Sequence, residues 1–113
     1  MEFHQIQSSA KIQLHAYQSG KLTINGEAHT QHLIALPDRL IEPWSGDYDV
    51  LKTLDAEIIL MGTGVKLIFP ETDVMQQLRA QGLAVEFMDT AAACRTFQIL
   101  TSENRKVAAA LRL

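Results

Sequence analysis

Two segments decide the fold: Glu57-Ile58-Ile59-Leu60-Met61-Gly62-Thr63-Gly64 and Val85-Glu86-Phe87-Met88-Asp89-Thr90-Ala91-Ala92-Ala93-Cys94-Arg95-Thr96. The first is an apolar run that stops at a glycine-flanked loop. The second is an apolar run that opens into a helix. Continuous apolar character, without alternation, is what a strand covered on both faces requires. Between them, Val74, Met75 and Leu78 fall at helical spacing, with Thr72 or Asp73 as N-cap and Gly82 as the stop. A strand, a helix and a strand of this length make parallel neighbours through a right-handed crossover. The two strand exits then lie on one edge of the sheet.

Working outward, Ala93, Phe97 and Leu100 form the inner stripe of the second helix, capped by Asp89 or Thr90. Glu103-Asn104-Arg105 turns the chain, with Asn104 able to take left-handed geometry. Val107–Leu113 fits helix or strand equally by periodicity. Val65–Phe69 reads as a short added strand before Pro70. Upstream, Ile12, Leu14 and Ala16 alternate with polar neighbours, as do Leu22 and Ile24. Asn25-Gly26 is a type I′ hairpin signal, because both central residues need positive φ. A third strand is expected from Glu27 to Leu36, completing an antiparallel meander. Pro37, Pro43, Trp44 and Ser45-Gly46-Asp47 make the middle irregular, with a short helical turn over Tyr48–Leu54. The fold class that follows is α/β. Residues 1–113 form one domain: an N-terminal antiparallel β-meander plus β-α-β-α-β, giving a central mixed sheet with packed helices.

The totals bound the function classes. A chain of 113 residues, 47% hydrophobic and 20% charged, is an ordinary globular domain. At this size roughly 65% of the unfolded surface is buried on folding. A formal net charge of −3 argues against nucleic-acid binding by bulk electrostatics. One cysteine excludes an intrachain disulfide and fits a reducing compartment. The opening Met1-Glu2-Phe3-His4-Gln5 has no secretory pattern, and no apolar run reaches the roughly 20 residues of a transmembrane segment. The expected location is the cytoplasm.

Gly62-Thr63-Gly64 does not complete a dinucleotide fingerprint. A third glycine would fall at Leu67, and Val65–Phe69 is not the helix that must hold a pyrophosphate. A sharp turn or a close chain approach explains the glycines better. Asp89-Thr90 reads first as a helix cap. The same helix start offers free amides to an anion, with Arg95 near enough to assist. Cys94 lies early in that helix, where the dipole favours a thiolate, but three alanines beside it suit a small buried side chain. His29 and His32 face opposite ways on a strand, so no metal site is indicated. His4 and His15 stand among polar neighbours and read as solvated. Trp44 reads as a plug for the irregular middle, and Asp55 and Glu57 as solvated edge positions. No cofactor is implied.

These loops carry a family resemblance. Glu57 with Leu60-Met61-Gly62-Thr63-Gly64, then Phe69-Pro70, then Gly82, Val85-Glu86, Met88-Asp89-Thr90, Ala92-Ala93-Cys94-Arg95-Thr96 and Val107–Leu111, resembles a bacterial and archaeal family. That family, of unassigned activity, is related to mitochondrial NADH dehydrogenase (complex I) assembly factor three. The resemblance implies a central mixed sheet with a small β layer, and a strand at Val107–Leu113. Gln98 and Asn104 stand where Asn and Gly are common in the family. The mitochondrial relatives work as partners of other assembly proteins.

Three readings follow. The first is a non-catalytic interaction protein of assembly-factor type, with protein partners yet to be identified. The second is a small-anion site at the carboxyl edge of the parallel strands. Gly62, Thr63 and Gly64 would form one wall, Asp89 and Thr90 the other, with Arg95 and Lys66 supplying charge. The third is an enzyme using Cys94 as nucleophile. Exposed antiparallel edges would also let two copies form a homodimer.

Overall fold

The computed structural model describes residues 11–69 and 72–113, the side chains of 72 and 74 excepted. Its strands are β1 Leu14–Gln18, β2 Lys21–Ile24, β3 Glu27–His29, β4 Leu33–Ala35, β5 Leu40–Ile41, β6 Ile58–Thr63, β7 Ala84–Met88 and β8 Val107–Arg112. The helices are α1, Thr72–Ala80, and α2, Thr90–Ser102, with a 3-10 turn at Asp49–Thr53. β1-β2-β3 form a small antiparallel sheet. The central sheet has the order β5-β4-β8-β6-β7. Within it β6 runs parallel to both β7 and β8, while β4 is antiparallel to β8 and to β5.

The central position of β8 explains its ambiguous sequence. Val107, Ala109 and Leu111 join one core; Ala108 and Ala110 join the other. Both faces are covered, so the strand shows no alternation, and alanines allow the covering layers to come close. β6 is likewise shared, with Leu60 in the first core and Ile59 and Met61 in the second.

The crossovers move in opposite directions. From β6 the chain steps outward to β7 through α1, then back across β6 to β8 through α2. Right-handed connections moving in opposite directions must lie on opposite faces. Leu78 of α1 accordingly packs in the core with Trp44, Leu51 and Val85. Ala93, Cys94 and Phe97 of α2 pack in the other, with Leu14, Leu22 and Ile24 of the meander. The exits of β6 and β7 therefore diverge to opposite faces, which is where a crevice forms in an α/β sheet.

Two expected strands are corrected. Glu27–Leu36 is not one strand: β3 stays in the small sheet and β4 crosses to the central one. Glu27 and Ala28 are exposed, whereas Leu33, Ile34 and Ala35 are all fully buried. Loss of alternation after His29 marks a change from a one-sided strand to a two-sided one. Val65–Phe69 is a loop, not a strand. Gly64 at φ +95° turns the chain, and the Thr63 side chain then captures the loop backbone.

Other expectations hold. Asn25 and Gly26 take φ of 49° and 84°, Asn104 takes 59° and Gly82 takes 79°. Trp44 is buried, and its indole N–H donates to the Asp47 carbonyl at 3.0 Å. Two differ: His15 is half-buried rather than solvated, and Thr72 and Asp73 lie within the first turn of α1 rather than before it, while His4 lies outside the described residues. Gln98 has a specific task. Its Oε1 accepts from the Leu14 N–H at 3.1 Å, and its Nε2 donates to Gln13 at 3.0 Å, tying the meander to α2. Gln98→Leu keeps the volume but strands the buried Leu14 N–H. It should lower unfolding stability in urea by about 1–3 kcal/mol.

Candidate functional site

The two loops meet at the carboxyl edge, and Thr90 joins them. Its N–H donates to the Gly64 carbonyl at 2.8 Å, and its Oγ1 accepts from the Gly64 N–H at 2.8 Å. The same hydroxyl donates to the Arg112 carbonyl at 2.5 Å, so one fully buried side chain ties the exit of β6 and the start of α2 to the end of β8. Gly62 makes this approach feasible. A Cβ there would lie 2.8 Å from Leu111 Cδ2, 2.9 Å from Thr90 Oγ1 and 3.1 Å from Thr90 Cα. The last of these is backbone and cannot step aside.

Asp89 is the N-cap: its Oδ1 accepts from the Ala92 N–H at 2.8 Å. Thr63 Oγ1 donates to the Lys66 carbonyl at 2.6 Å and accepts from the Ile68 N–H at 3.0 Å. The polar groups of Asp89, Thr63 and Thr90 are thus engaged in local architecture. Lys66 is exposed on the 65–69 loop and Arg95 is exposed on α2. Cys94 is fully buried. Burial pushes its thiol up to about 12; the Arg95 charge acts the other way, and Asp89 adds to the rise. Burial also raises the phenol of Tyr17, on the same side of the sheet, with Cys94 and Asp89 contributing. Among the described residues no group of three His, Cys, Asp or Glu side chains is placed to hold a metal ion. His29 bonds Glu42 at 2.9 Å, and His32 Nδ1 accepts from the Leu113 N–H at 3.0 Å.

The open space at this edge lies on the α1 face. A cleft of about 140 Å³ is lined by Tyr48, Met61, Thr63, Ile68, Phe87 and Arg112, with Gly62 also in its wall. Its charge comes from Arg112, whose guanidinium carbon sits 5.0 Å from the Trp44 ring centroid. Sequence reasoning placed charge at Arg95 and Lys66 and passed over Arg112, Tyr48 and Phe87. Arg112 follows Ala108 and Ala110 at period two, so strand geometry at the C-terminus puts it on their face. The ambiguity of Val107–Leu113 hid that signal.

Beside the cleft, the 65–69 loop holds Val65, Leu67, Ile68 and Phe69 out, with exposures of 61%, 48%, 63% and 64%. Phe69 contacts Phe87 at a ring separation of 6.4 Å.

A family model described as protein of unknown function (DUF498/DUF598) matches residues 14–112. The chain belongs to this family. Among its relatives is the NADH dehydrogenase [ubiquinone] 1 alpha subcomplex assembly factor 3 of Danio rerio. It is 31% identical over 118 residues, covering 95% of this chain and 67% of that protein. The "13 kDa major membrane protein" of Francisella tularensis is 39% identical over 59 residues, covering 52% of this chain. This match spans 48% of the Francisella protein's length. The solved structure of the Xanthomonas campestris protein XCC1710 superposes with a TM-score of 0.81 at 33% identity, covering 95% of this chain and 88% of that one. Among the described residues no helix is long and apolar enough to cross a membrane.

Three outcomes follow from this geometry. Thr90→Val leaves the Gly64 N–H and the Arg112 carbonyl without their partner and should cost about 1–3 kcal/mol, whereas Thr90→Ser should cost about 1 kcal/mol or less. Gly62→Ala should cost about 1–3 kcal/mol through overpacking. Thermal or urea denaturation reads both. The third concerns the thiol. The unfolded cysteine ionises near its ordinary value of 9.0 and the folded one only near 12. Above the lower value the unfolded state holds fewer protons, so the Cys94 contribution to stability falls as pH rises across that window. Alkylation of native protein at neutral pH should be slow and should accelerate on unfolding.

Proposed function

We propose that this chain is a non-catalytic interaction protein of assembly-factor type, working in the cytoplasm on partners of the respiratory or membrane-biogenesis machinery. The observation that carries it is the exposed run Val65, Leu67, Ile68 and Phe69. Four large apolar side chains within five residues, held in water by a folded loop, are what a protein-contact surface presents. The loop is held in shape by its own architecture. Thr63 bonds the backbone at Lys66 and Ile68, which holds the loop in shape while its side chains stay largely exposed. The engaged hydroxyls of Thr63 and Thr90 and the protonated Cys94 thiol favour contact over chemistry. The Danio rerio relative, named as an NADH dehydrogenase assembly factor, supports the class of partner.

Affinity capture from the native host at native abundance tests this. Wild-type protein should return respiratory or membrane-biogenesis proteins. The double variant Val65→Asp with Leu67→Asp should lose them while keeping its thermal midpoint, because both side chains are largely solvated. Recovery of no such protein by the wild type, or equal recovery by the double variant, would contradict the proposal.

A further inference from the structure

We propose that the carboxyl-edge cleft is a carboxylate pocket, with Arg112 as the anion anchor, for a ligand whose carboxylate is joined to a small apolar or aryl body. The inference goes beyond the partner-binding reading and does not require it.

The cation is built in. The Arg112 guanidinium lies over the Trp44 indole at 5.0 Å, and a Cβ on Gly46 would meet its Nη1 at 3.0 Å and its Nη2 at 3.1 Å. It therefore lies close to both an aromatic face and a bare stretch of backbone, and glycine at position 46 leaves it that room. Trp44 is itself fixed. Its backbone N–H donates to the His32 carbonyl at 2.7 Å, and its indole N–H to the Asp47 carbonyl at 3.0 Å. The Arg112 backbone is fixed by the Thr90 hydroxyl on its carbonyl. Stacking occupies the faces of a guanidinium and leaves its in-plane N–H groups, which match a carboxylate in a two-pronged bond. Among the described residues no carboxylate pairs with Arg112 and no acceptor bonds its guanidinium. Ion pairs there join His29 to Glu42, Arg39 to Asp38, Lys52 to Asp49, Arg105 to Glu57 and Lys106 to Asp55.

The rest of the lining sets the body of the ligand. Met61, Ile68 and Phe87 are apolar, and Tyr48 adds an aromatic ring. Thr63 has already spent its hydroxyl on the loop. Nothing in this lining suits a second charge or a sugar. Size sets the upper limit. At about 140 Å³ the cleft falls below the roughly 300–1,000 Å³ of ordinary cofactor pockets, so a nucleotide does not fit. A ligand the size of one side chain plus a carboxylate does. Such a group is presented by a free aryl or branched aliphatic acid and by a chain terminus ending in an apolar residue. A cation already immobilised loses little freedom on binding, which favours capture of so small a ligand.

The test is an amide-resolved NMR titration with phenylacetate, and with phenylacetamide as the uncharged match. Phenylacetate should give saturable shifts at Thr63, Ile68, Phe87 and Arg112, at least tenfold tighter than phenylacetamide. Arg112→Gln should weaken phenylacetate at least tenfold. It leaves the Thr90–Arg112 carbonyl bond in place, and unchanged shifts at β1 and β2 will confirm that the fold persists. Arg112→Lys keeps the charge without the planar fork and should fall between. A peptide ending in a free phenylalanine carboxylate, compared with its amide, separates the two sources: tenfold tighter binding than phenylacetate assigns the pocket to a chain terminus, and equal or weaker binding assigns it to a free acid. Equal shifts from phenylacetate and phenylacetamide, or an undiminished response in Arg112→Gln, would overturn the proposal and leave the Arg112–Trp44 stack as packing alone.

Discussion

The hydroxyl of Thr90 is the constraint on which the carboxyl edge depends. It takes a hydrogen bond from the Gly64 N–H and gives one to the Arg112 carbonyl, while its own N–H bonds Gly64 again. Three chain segments that are distant in sequence are thereby locked at one buried point. A buried hydroxyl stabilises only when its partners are aligned, and an unmet partner costs more than the bond contributes. That asymmetry explains why the neighbourhood is so restricted. Gly62 must lack a Cβ for Thr90 to approach, and Gly64 must take positive φ for its peptide to face the helix start.

The sheet distributes its work between two faces. The α2 face carries the core of Phe97, Cys94, Leu14 and Leu111, closed over by the meander. Asp89 and Cys94 belong to this closed side, and their chemistry is that of packing and capping. The α1 face packs Leu78, Trp44 and Leu51 over the sheet, and the cleft opens where β6, β7 and β8 end. The two faces are linked through residue 112. Its carbonyl is held by Thr90, and its guanidinium lies over Trp44 on the open side. A cap on one face thus helps to fix a cation on the other. The apolar 65–69 loop starts from the same junction, so the features that look outward share one rigid support.

Much of this was legible in the sequence, for identifiable reasons. Asn25-Gly26, Gly82 and Asn104 announce their turns because few residues tolerate positive φ. The paired exits after Met61 and Met88 announce a parallel unit because buried parallel strands are apolar throughout. The helix cap at Asp89 follows from side-chain chemistry alone. What failed was non-local. Nothing in Glu27–Leu36 says that the chain changes sheets after His29 except a loss of alternation over three residues. Val65–Phe69 has the composition of a strand, yet one threonine hydroxyl bonded at Lys66 and Ile68 keeps it a loop. Arg112 was invisible as a site residue because the middle of its strand is three consecutive alanines, and alanine carries no period. Trp44 was legible as a plug, but its second task, supporting a guanidinium from a residue 68 positions later, is a tertiary fact.

Native-state hydrogen exchange at the Gly64 amide tests the central constraint most directly. If Thr90 locks the carboxyl edge, that amide is held by a buried hydroxyl, and it should exchange with the slow β6 amides at Leu60 and Met61, on or near global unfolding. Exchange at the rate of the exposed loop amides at Val65 and Lys66 would show that the junction opens freely, and would contradict the account.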